Sequence, residues 1–397
     1  MAKPYSRPLS YISERQYLIM DRLCTPFVNQ PILEGTGVLD RNRWRAAVEK
    51  ASAANPGTRL VLKGIPGFRR WVDSGICPPV REVDGSKWNG FDQNGAPFLQ
   101  TQLPYRQGPT CEVLLIQGDP PRIAFRTLHA AIDGRGTMIW MEDIFNALRG
   151  DPLIGSTSSL PDYKVMRSFQ EKTILPVPSE CPGPTGSPDG NEPGFEWRRK
   201  DLPGRFSKLL PRVALLVADE VRRHSKEKVR LSVAVDLRPR VNNIRSTANL
   251  VGFIFIEILP GHTVLMIAED ISHQLSERRE GMRLKYDVLN KFFPLWYMRN
   301  MMLKTVNFQY TSNRFFHTGL ISNIGKMPME KYTGGGFHAT NGFWIPPPNK
   351  FLPVFVVLSG TTKGVSLTAT MPGVFSTQGR IDKFMDNLEA GILSGGV

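Results

Sequence analysis

A proline- and glycine-rich segment near the middle of the chain limits what its 397 residues can fold into. The segment Pro176–Gly194 reads PVPSECPGPTGSPDGNEPG, and proline and glycine supply about half of it. Proline removes backbone donors and glycine raises the entropy cost of ordering, so neither a helix nor a central strand is expected there. Because the chain is too long for one small core, we predict an N-terminal subdomain over 1–175, a linker over 176–195 and a C-terminal subdomain over 196–397.

Each half mixes predicted strands with predicted helices. In the first half, Asp40 is a predicted N-cap for a helix with the apolar positions Trp44, Ala47, Val48 and Ala51. The strands Glu112–Gln117 and Arg122–Leu128 flank a GDPP turn, and a helix follows near Thr137–Leu148. The predicted helices of the second half are Phe206–Arg223, Val264–Arg279 and Arg380–Leu393. Its predicted strands are Val229–Val235, Gly252–Ile258, Thr318–Asn323, Val354–Ser359 and Val365–Thr370. The fold class is therefore mixed α/β with largely buried strands.

The formal net charge of +14 raises the question of a nucleic-acid partner. The basic residues are dispersed, apart from Arg198-Arg199-Lys200 and a second group, Arg222-Arg223-His224 with Lys226 and Lys228. Neither group carries interleaved aromatic residues or a known nucleic-acid module, so no nucleic-acid partner is predicted. A basic surface suits a CoA thioester, an acidic carrier protein or an anionic membrane equally well.

The four cysteines, Cys24, Cys77, Cys111 and Cys181, lie far apart and form no CxxC pair. Neither a metal site nor a disulfide framework is therefore predicted. No apolar run approaches the roughly 20 residues that span a bilayer, and the N-terminus lacks the apolar centre of a secretory signal. A cytoplasmic protein is the expectation.

The stretch FRTLHAAIDGRG, Phe125–Gly136, carries the most chemical information. It puts His129 just beyond a predicted strand, with Asp133 and Gly134 in the turn before a predicted helix. A histidine held there can project into a cleft and act as a general base near neutral pH. Asp133 is at the wrong spacing for a triad partner; such an aspartate fixes the loop by pairing with an arginine or capping backbone N–H groups. Gly134 is expected to permit a backbone angle or close approach that a side chain would block. A purely structural histidine is the alternative.

Six segments in order resemble the condensation-domain superfamily, which includes chloramphenicol acetyltransferase, peptide-synthetase condensation domains, plant BAHD acyltransferases and alcohol or polyketide-associated acyltransferases. The segments are Leu9–Leu23, Leu33–Leu60, HAAIDG (His129–Gly134), VAVDLRPR with NLVGFIF (Val233–Arg240 and Asn249–Phe255), SNIG (Ser322–Gly325) and GVSLTATMPGVFS (Gly364–Ser376). The opening helix looks like that of the alcohol-acyltransferase branch. The resemblance implies two chloramphenicol-acetyltransferase-like subdomains that form a pseudo-dimer with a central tunnel.

The resemblance also implies roles for single residues. His129 would take a proton from an acceptor, which attacks a thioester carbonyl without a covalent acyl-enzyme. Asp133 would point away from the substrate and bind an arginine, for which Arg238 is the candidate; the alternative is a solvated arginine. Ser322 and Asn323 would face the histidine and either donate to the oxyanion or line the channel, and the alternative is that they close a turn.

The sequence departs from the superfamily pattern in three places. Leu128 stands where many condensation domains carry a second histidine, which argues against a typical peptide-synthetase module. The RHxxLR pattern after the first helix is reduced to Ala54, Asn55 and Arg59. The DFGWG motif of plant enzymes is absent; the chain offers GGGF (Gly334–Phe337) and NGFW (Asn341–Trp344) instead.

Three functions follow from the resemblance. The first is acyl transfer from acyl-CoA to a hydroxyl or amine of a small-molecule or lipid acceptor, by a monomer with no permanently bound cofactor. The second is a condensation or ester-forming enzyme of a natural-product pathway that takes its acyl group from an acidic acyl carrier protein. The third is a non-catalytic ligand-binding relative. The aromatic, methionine-rich and basic segment Lys285–Phe308 is either a peripheral membrane surface or a core segment or channel wall, and Pro294 is expected to interrupt any helix there.

Overall fold

The computed structural model describes residues 4–169, 173–174, 177–281, 283–284, 287–361 and 363–394. The helices in these residues are α1 (Glu14–Leu23), α2 (Arg41–Ala54), α3 (Gly134–Arg149), α4 (Asp162–Arg167), α5 (Leu209–Arg222), α6 (Val264–Ser276), α7 (Leu295–Ser312), α8 (Gly373–Ser376) and α9 (Arg380–Ser394). The strands are β1 (Ser6–Pro8), β2 (Val28–Gly37), β3 (Leu60–Lys63), β4 (Arg70–Asp73), β5 (Val80–Asp84), β6 (Cys111–Gln117), β7 (Arg122–Leu128), β8 (Thr173–Ile174), β9 (Phe195–Pro203), β10 (Val229–Asp236), β11 (Val251–Ile258), β12 (Arg283–Leu284), β13 (Gly319–Lys326), β14 (Thr333–Gly334), β15 (Phe337–Ile345), β16 (Phe355–Gly360) and β17 (Gly364–Pro372).

The first lobe is built on a six-stranded sheet in the order β14-β15-β2-β7-β6-β5. β7 lies inside this sheet, antiparallel to β2 and β6, and it is buried at each of its positions. Helices α2 and α3 cover one face, where Trp44 and Trp140 pack against the Phe125 ring at 6.2 and 6.3 Å. This packing fixes the end of β7, from which the chain enters the histidine loop.

The start of α2 follows the predicted capping. An Asp40 side-chain oxygen accepts hydrogen bonds from the backbone N–H groups of Asn42 and Arg43 at 2.9 and 3.0 Å. The cap satisfies two of the donors that a helix leaves unpaired at its N-terminus. The four apolar positions predicted for this helix, from Trp44 to Ala51, are all buried.

The second lobe is built on another six-stranded sheet, in the order β11-β10-β13-β16-β17-β9. One face packs against α5 and α9, with Val217 and Phe384 among the buried side chains. On the other face, Leu320 and Phe355 form a cluster with Met138 and Trp344. Because Met138 lies on α3 of the first lobe, this cluster joins the two lobes through apolar contact.

Two strands from the second half of the sequence, β14 and β15, belong to the sheet of the first lobe. Phe337–Ile345 (β15) pairs antiparallel with β2, and Phe343 lies opposite Ile32. The first lobe is therefore completed by residues far beyond the predicted linker. The subdomain boundary at 176–195 stays a prediction. Sequence reasoning did not anticipate that the second half of the chain contributes two strands to the first lobe.

The described part of the predicted linker packs against the second lobe. The Thr185 hydroxyl donates to the Phe375 carbonyl oxygen at 2.8 Å, and the Asp189 N–H donates to the Val374 carbonyl oxygen at 2.9 Å. Cys181 is buried and its backbone pairs with Phe315. As the composition predicted, 177–194 contains neither a helix nor a strand, yet it is anchored at several points.

The dense basic groups are largely neutralised by ion pairs. In the first group, Arg198 pairs with Asp382, Arg199 with Glu34 and Lys200 with Asp386. In the second, Arg222 pairs with Asp219, Arg223 with Glu220 and Lys228 with Glu257. Arg199 reaches Glu34 from the opposite lobe at 2.8 Å, so part of the positive charge serves to join the lobes.

Among the described residues, none of the helices combines the length and the apolar character that crossing a membrane requires.

Candidate active site

His129 lies directly after the last residue of β7, at the entrance to the turn that precedes α3. Its backbone N–H donates to the Phe27 carbonyl oxygen at 3.1 Å. The half-buried imidazole stacks on the Phe27 ring, with centroids 5.2 Å apart and an interplanar angle of 12°, and the Tyr17 ring lies 4.6 Å away. Its Nδ1 is buried and has no hydrogen-bond partner within the described ranges.

The surroundings of His129 keep the ring neutral near pH 7. Burial lowers the pKa of His129 below its ordinary value of 6.5, because the charged imidazolium is disfavoured away from water. The Asp133 carboxylate opposes this shift by favouring the charged form. The neutral ring has a free lone pair, and the nearby anion stabilises the cation that forms when a proton is accepted.

Three buried side chains hold the carbonyl groups of the histidine loop. Each donor is no more than 3% exposed, and each comes from a different part of the chain. The donor–acceptor pairs are Asn249 Nδ2 to the His129 oxygen at 2.9 Å, Arg7 Nη2 to the Ala131 oxygen at 2.5 Å and Asn29 Nδ2 to the Ile132 oxygen at 2.7 Å. Satisfied carbonyl groups on both sides of the loop fix the position of the imidazole.

Asp133 is placed as a loop-fixing residue. One of its carboxylate oxygens accepts from the Gly136 N–H at 2.6 Å and caps α3, while the other accepts from the Leu250 N–H at 2.7 Å. The Arg238 guanidinium donates to both oxygens, at 2.9 and 3.0 Å. Asp133 therefore fixes the loop that carries His129.

Arg238 is buried, with 5% of its side chain exposed, so it is not a solvated arginine. Besides Asp133, it donates to the carbonyl oxygens of Ser246 and Ala248, at 2.7 and 2.8 Å, and pairs with Asp236. A planar guanidinium suits such simultaneous contacts. The pair joins the lobes, because Arg238 follows β10 of the second lobe and Asp133 belongs to the first.

The structure differs from the sequence prediction at Gly134. A Cβ at this position would meet the Trp344 ring at 3.4 Å, an ordinary contact, and the backbone angle is not one that requires glycine. The close approach occurs two residues later, where a Cβ on Gly136 would lie 2.5 Å from the Thr247 carbonyl oxygen. Gly136 is therefore the glycine that lets the second lobe approach the N-terminus of α3.

Ser322 and Asn323 face opposite ways. Ser322 is half-buried on β13, on the same sheet face as Leu320, which packs against the first lobe. Asn323 is exposed, and its Oδ1 accepts from the Gly325 N–H at 3.0 Å, which closes a local turn. Only Ser322 therefore lies on the face between the lobes.

Sequence reasoning missed three neighbours of the histidine: Tyr17, Phe27 and Asn249. Tyr17 lies on α1, inside the segment that resembles an opening helix, and burial raises the pKa of its phenol. Asn249 stands in the NLVGFIF segment. Tyr17 and Asn249 could have been found from the sequence, since both lie within segments that resemble the superfamily. No feature of the sequence around Phe27 indicates a place beside the histidine.

No group of three or more metal-ligating side chains occurs among the described residues, and the four cysteines are free thiols. One cavity of about 840 Å³ lies between β11 and α6, lined by Arg230, Phe255 and His273 among others. Another of about 510 Å³ lies between β9 and α9. Neither is lined by His129. The central tunnel stays a prediction.

The architecture is that of condensation domains. Over 99% of this chain and 97% of the other, it is similar to the condensation domain of the Monacolin K polyketide synthase MokA, with a TM-score of 0.66 and 12% identity. The first condensation domain of the calcium-dependent antibiotic synthetase, in complex with a substrate analogue, gives a TM-score of 0.63 and 15% identity over 98% of both chains. A mutant starter condensation domain of rhizomide synthetase RzmA, in complex with C8-CoA and Leu-SNAC, gives 0.64 and 11% over 97% and 93%.

No protein-family model matches the sequence, and no curated protein matches it. At these identities the similarity establishes the fold: the chain has the two-lobed chloramphenicol-acetyltransferase-like architecture of condensation domains.

Proposed function

We propose that this chain is an acyltransferase that moves an acyl group from a thioester to a hydroxyl or amine, with His129 as general base. One observation carries the proposal: the His129 imidazole, whose pKa burial lowers and the Asp133 carboxylate raises, is held by a fixed loop beside the face where the two lobes meet. Fold similarity is consistent with this chemistry but does not determine it.

In the proposed reaction, His129 removes the proton from the acceptor hydroxyl or amine as that group attacks the thioester carbonyl carbon. A tetrahedral oxyanion forms, and Ser322 is the proposed hydrogen-bond donor to it. The carbon–sulfur bond then breaks, and the departing thiolate takes the proton from the imidazolium. Asp133 and Arg238 are positioning residues, since they hold the loop and fix the charge beside the ring.

For the donor we propose acyl-CoA. The starter condensation domain of RzmA was solved with C8-CoA, and a net charge of +14 suits a polyanionic donor. The alternative donor is an acyl group on an acidic carrier protein, in a condensation or ester-forming enzyme of a natural-product pathway, and the same charge suits it. The acceptor is proposed to be a small molecule or lipid, and the protein a cytoplasmic monomer without a permanently bound cofactor.

A direct experiment incubates the purified chain with a panel of acyl-CoAs and cell extract, and follows acylated products by mass spectrometry. Products that need no carrier protein would support acyl-CoA as donor, whereas products formed only with acyl-loaded carrier protein would support the alternative. The His129→Ala variant is the matched blank. A product yield equal for both proteins would contradict the proposed base, and no product with either donor would favour a non-catalytic ligand-binding relative.

A further inference from the structure

Helix α7 has one face in the protein and one in solvent. Leu295 and Val306 are buried, and Met298 and Met302 are half-buried against the core beside α1. The other face exposes large apolar side chains: Trp296 (61%), Tyr297 (43%), Met301 (50%) and Phe308 (56%). Helix α7 therefore contributes to the core on one side only. Pro294, expected to interrupt a helix here, precedes α7 and does not interrupt it.

The exposed apolar surface continues beyond α7. Phe292 and Phe293 are 53% and 43% exposed, just before the helix begins. The tip of the β3–β4 hairpin lies against them, since a Cβ on Gly67 would be 3.1 Å from the Phe292 ring. Rings of Phe293 and Tyr297 stack at 5.6 Å. We call this surface the aromatic platform; it consists of Ile65, Phe68, Phe292, Phe293, Trp296 and Tyr297.

The charged residues within the two stretches that form the platform are all basic. The two stretches that form it, 60–72 and 288–312, contain no aspartate or glutamate. Their basic residues are Lys63, Arg69, Arg70, Lys291, Arg299 and Lys304. A bilayer with anionic lipids offers the complementary charge to such a rim.

A cluster of arginines lies beside the platform. Arg22 and Arg106 both lie about 5.9 Å from the Tyr105 ring, and burial together with these two charges lowers the pKa of Arg69. Arg15 is 2% exposed, donates to the Phe293 carbonyl oxygen and has an unpartnered Nε. Among the described residues, none of these four arginines forms an ion pair. Arg22 and Arg106 are exposed and Arg69 is half-buried, so these three positive charges are available to an external anion, whereas the buried Arg15 holds the start of α7.

We propose that the aromatic platform docks on the surface of an anionic lipid bilayer. Tryptophan, tyrosine and phenylalanine suit the boundary between headgroups and acyl chains, and the basic rim suits anionic headgroups. The platform combines a hairpin tip with the start of a helix, and exposed apolar patches of this kind mark interaction sites. The docking is independent of the proposed reaction, because His129 is not part of the platform.

The test is flotation of the full chain with vesicles of phosphatidylcholine, with or without about 30 mol% phosphatidylserine. We expect binding to the anionic vesicles, weakened by salt. Trp296 is the one exposed tryptophan of the seven, and the other six are buried, so a blue shift of tryptophan fluorescence reports insertion of the platform.

Two variants locate the binding surface. Phe68→Ser with Phe292→Ser keeps Trp296 and is expected to weaken partitioning about tenfold or more, since it removes two exposed aromatic rings. The matched control is Leu259→Ser with Leu265→Ser on the second lobe, where these side chains are 51% and 57% exposed. Arg299→Gln is expected to weaken binding to anionic vesicles about fivefold.

Three outcomes would overturn the proposal: no binding to anionic vesicles, equal binding to neutral ones, or equal loss in both double variants. Sedimentation gives a further one, since a dimer abolished by Phe68→Ser with Phe292→Ser would assign the platform to a second copy of this chain. Circular dichroism checks that each variant is folded. His129→Ala is expected to bind vesicles like the unaltered chain, so failure of the proposed reaction leaves this result intact.

Discussion

Each lobe holds a half-buried histidine beside a phenylalanine ring. His129 stacks on Phe27 at 5.2 Å in the first lobe, and His317 stacks on Phe255 at 5.9 Å in the second. In both rings Nδ1 is buried and lacks a hydrogen-bond partner in the part of the chain that the structure describes. The two histidines are therefore similar in packing and burial.

They differ in the fixed charge that faces them. Burial lowers the pKa of both, but Arg230 lowers the pKa of His317 further, to about 4, whereas Asp133 raises that of His129 against the effect of burial. An imidazole that accepts a proton becomes a cation, which a carboxylate stabilises and a guanidinium destabilises. Burial alone thus does not prepare a histidine to act as a base; the sign of the nearby charge decides.

The largest expected effect is on catalysis, when the first of the two histidines is replaced. His129→Ala is expected to lower kcat/KM by about 10²–10⁴-fold, the usual cost of losing a general base. His317→Ala, the control, is expected to change kcat/KM by about threefold or less. The measurement is steady-state kinetics with the acyl donor that proves active. Equal losses in the two variants would contradict the assignment of the base to the first lobe.

The next effect concerns the ion pairs that set the two charges. Arg238→Met leaves the Asp133 carboxylate buried without a cation, and we expect a loss of about 3–5 kcal/mol in the free energy of unfolding. Arg230→Met leaves Glu257, which is 43% exposed and still pairs with Lys228, so we expect about 1–2 kcal/mol. Urea denaturation measures both. Similar losses would show that burial of the carboxylate is not the deciding difference.

A smaller effect on kcat is expected from Ser322, the residue of the second lobe proposed to act beside His129. Ser322→Ala is expected to lower kcat about 10²-fold if its hydroxyl stabilises the oxyanion, with little change in KM. Asn323→Ala removes only a turn contact and is expected to change kcat about twofold or less. The kcat values of these two neighbouring variants test whether the Ser322 hydroxyl stabilises the oxyanion. A Ser322 variant with unaltered kcat would remove this residue from the proposed site.

The smallest expected effect is the contribution of His317 to the pH dependence of the free energy of unfolding. Between pH 6.5 and about 4, the unfolded chain protonates His317 and the folded chain does not, so the free energy of unfolding falls as the pH falls through this window. Such a shift corresponds to about 3 kcal/mol, and partial exposure reduces our expectation to about 2 kcal/mol. His317→Gln should lose that much less stability than the unaltered chain between pH 7 and pH 4. Parallel urea titrations test this, and identical losses would contradict it.

Local signals in the sequence predicted much of the fold. The cap at Asp40 and the hairpin of β6 and β7 depend on neighbouring residues, and the structure contains both. The pairing of β15 with β2 was missed because it joins segments about 300 residues apart. β9 was missed because its charged residues, including Arg199, are typical of a surface; their partners lie in other elements.

In the candidate site too, residues within a local motif were predicted and residues from distant segments were missed. A short motif, together with the resemblance, indicated His129, Asp133 and the partner Arg238, and the structure brings the last two together. The donors to the loop carbonyls, such as Arg7 and Asn249, were not predicted. Every residue has a backbone carbonyl oxygen, so the sequence does not indicate which distant side chain donates to it. The glycine that the close approach requires was placed two residues too early.

The late arrival of β15 has a consequence for biosynthesis. During translation β2 emerges with one edge of its sheet unpaired, and its partner follows only after the chain has grown from Gly37 to Phe337. At about 5–20 residues per second, the nascent chain carries that open edge for roughly 15–60 s. An unpaired edge of this kind invites wrong pairing with other chains, so we expect newly made protein to depend on chaperones until β15 has left the ribosome.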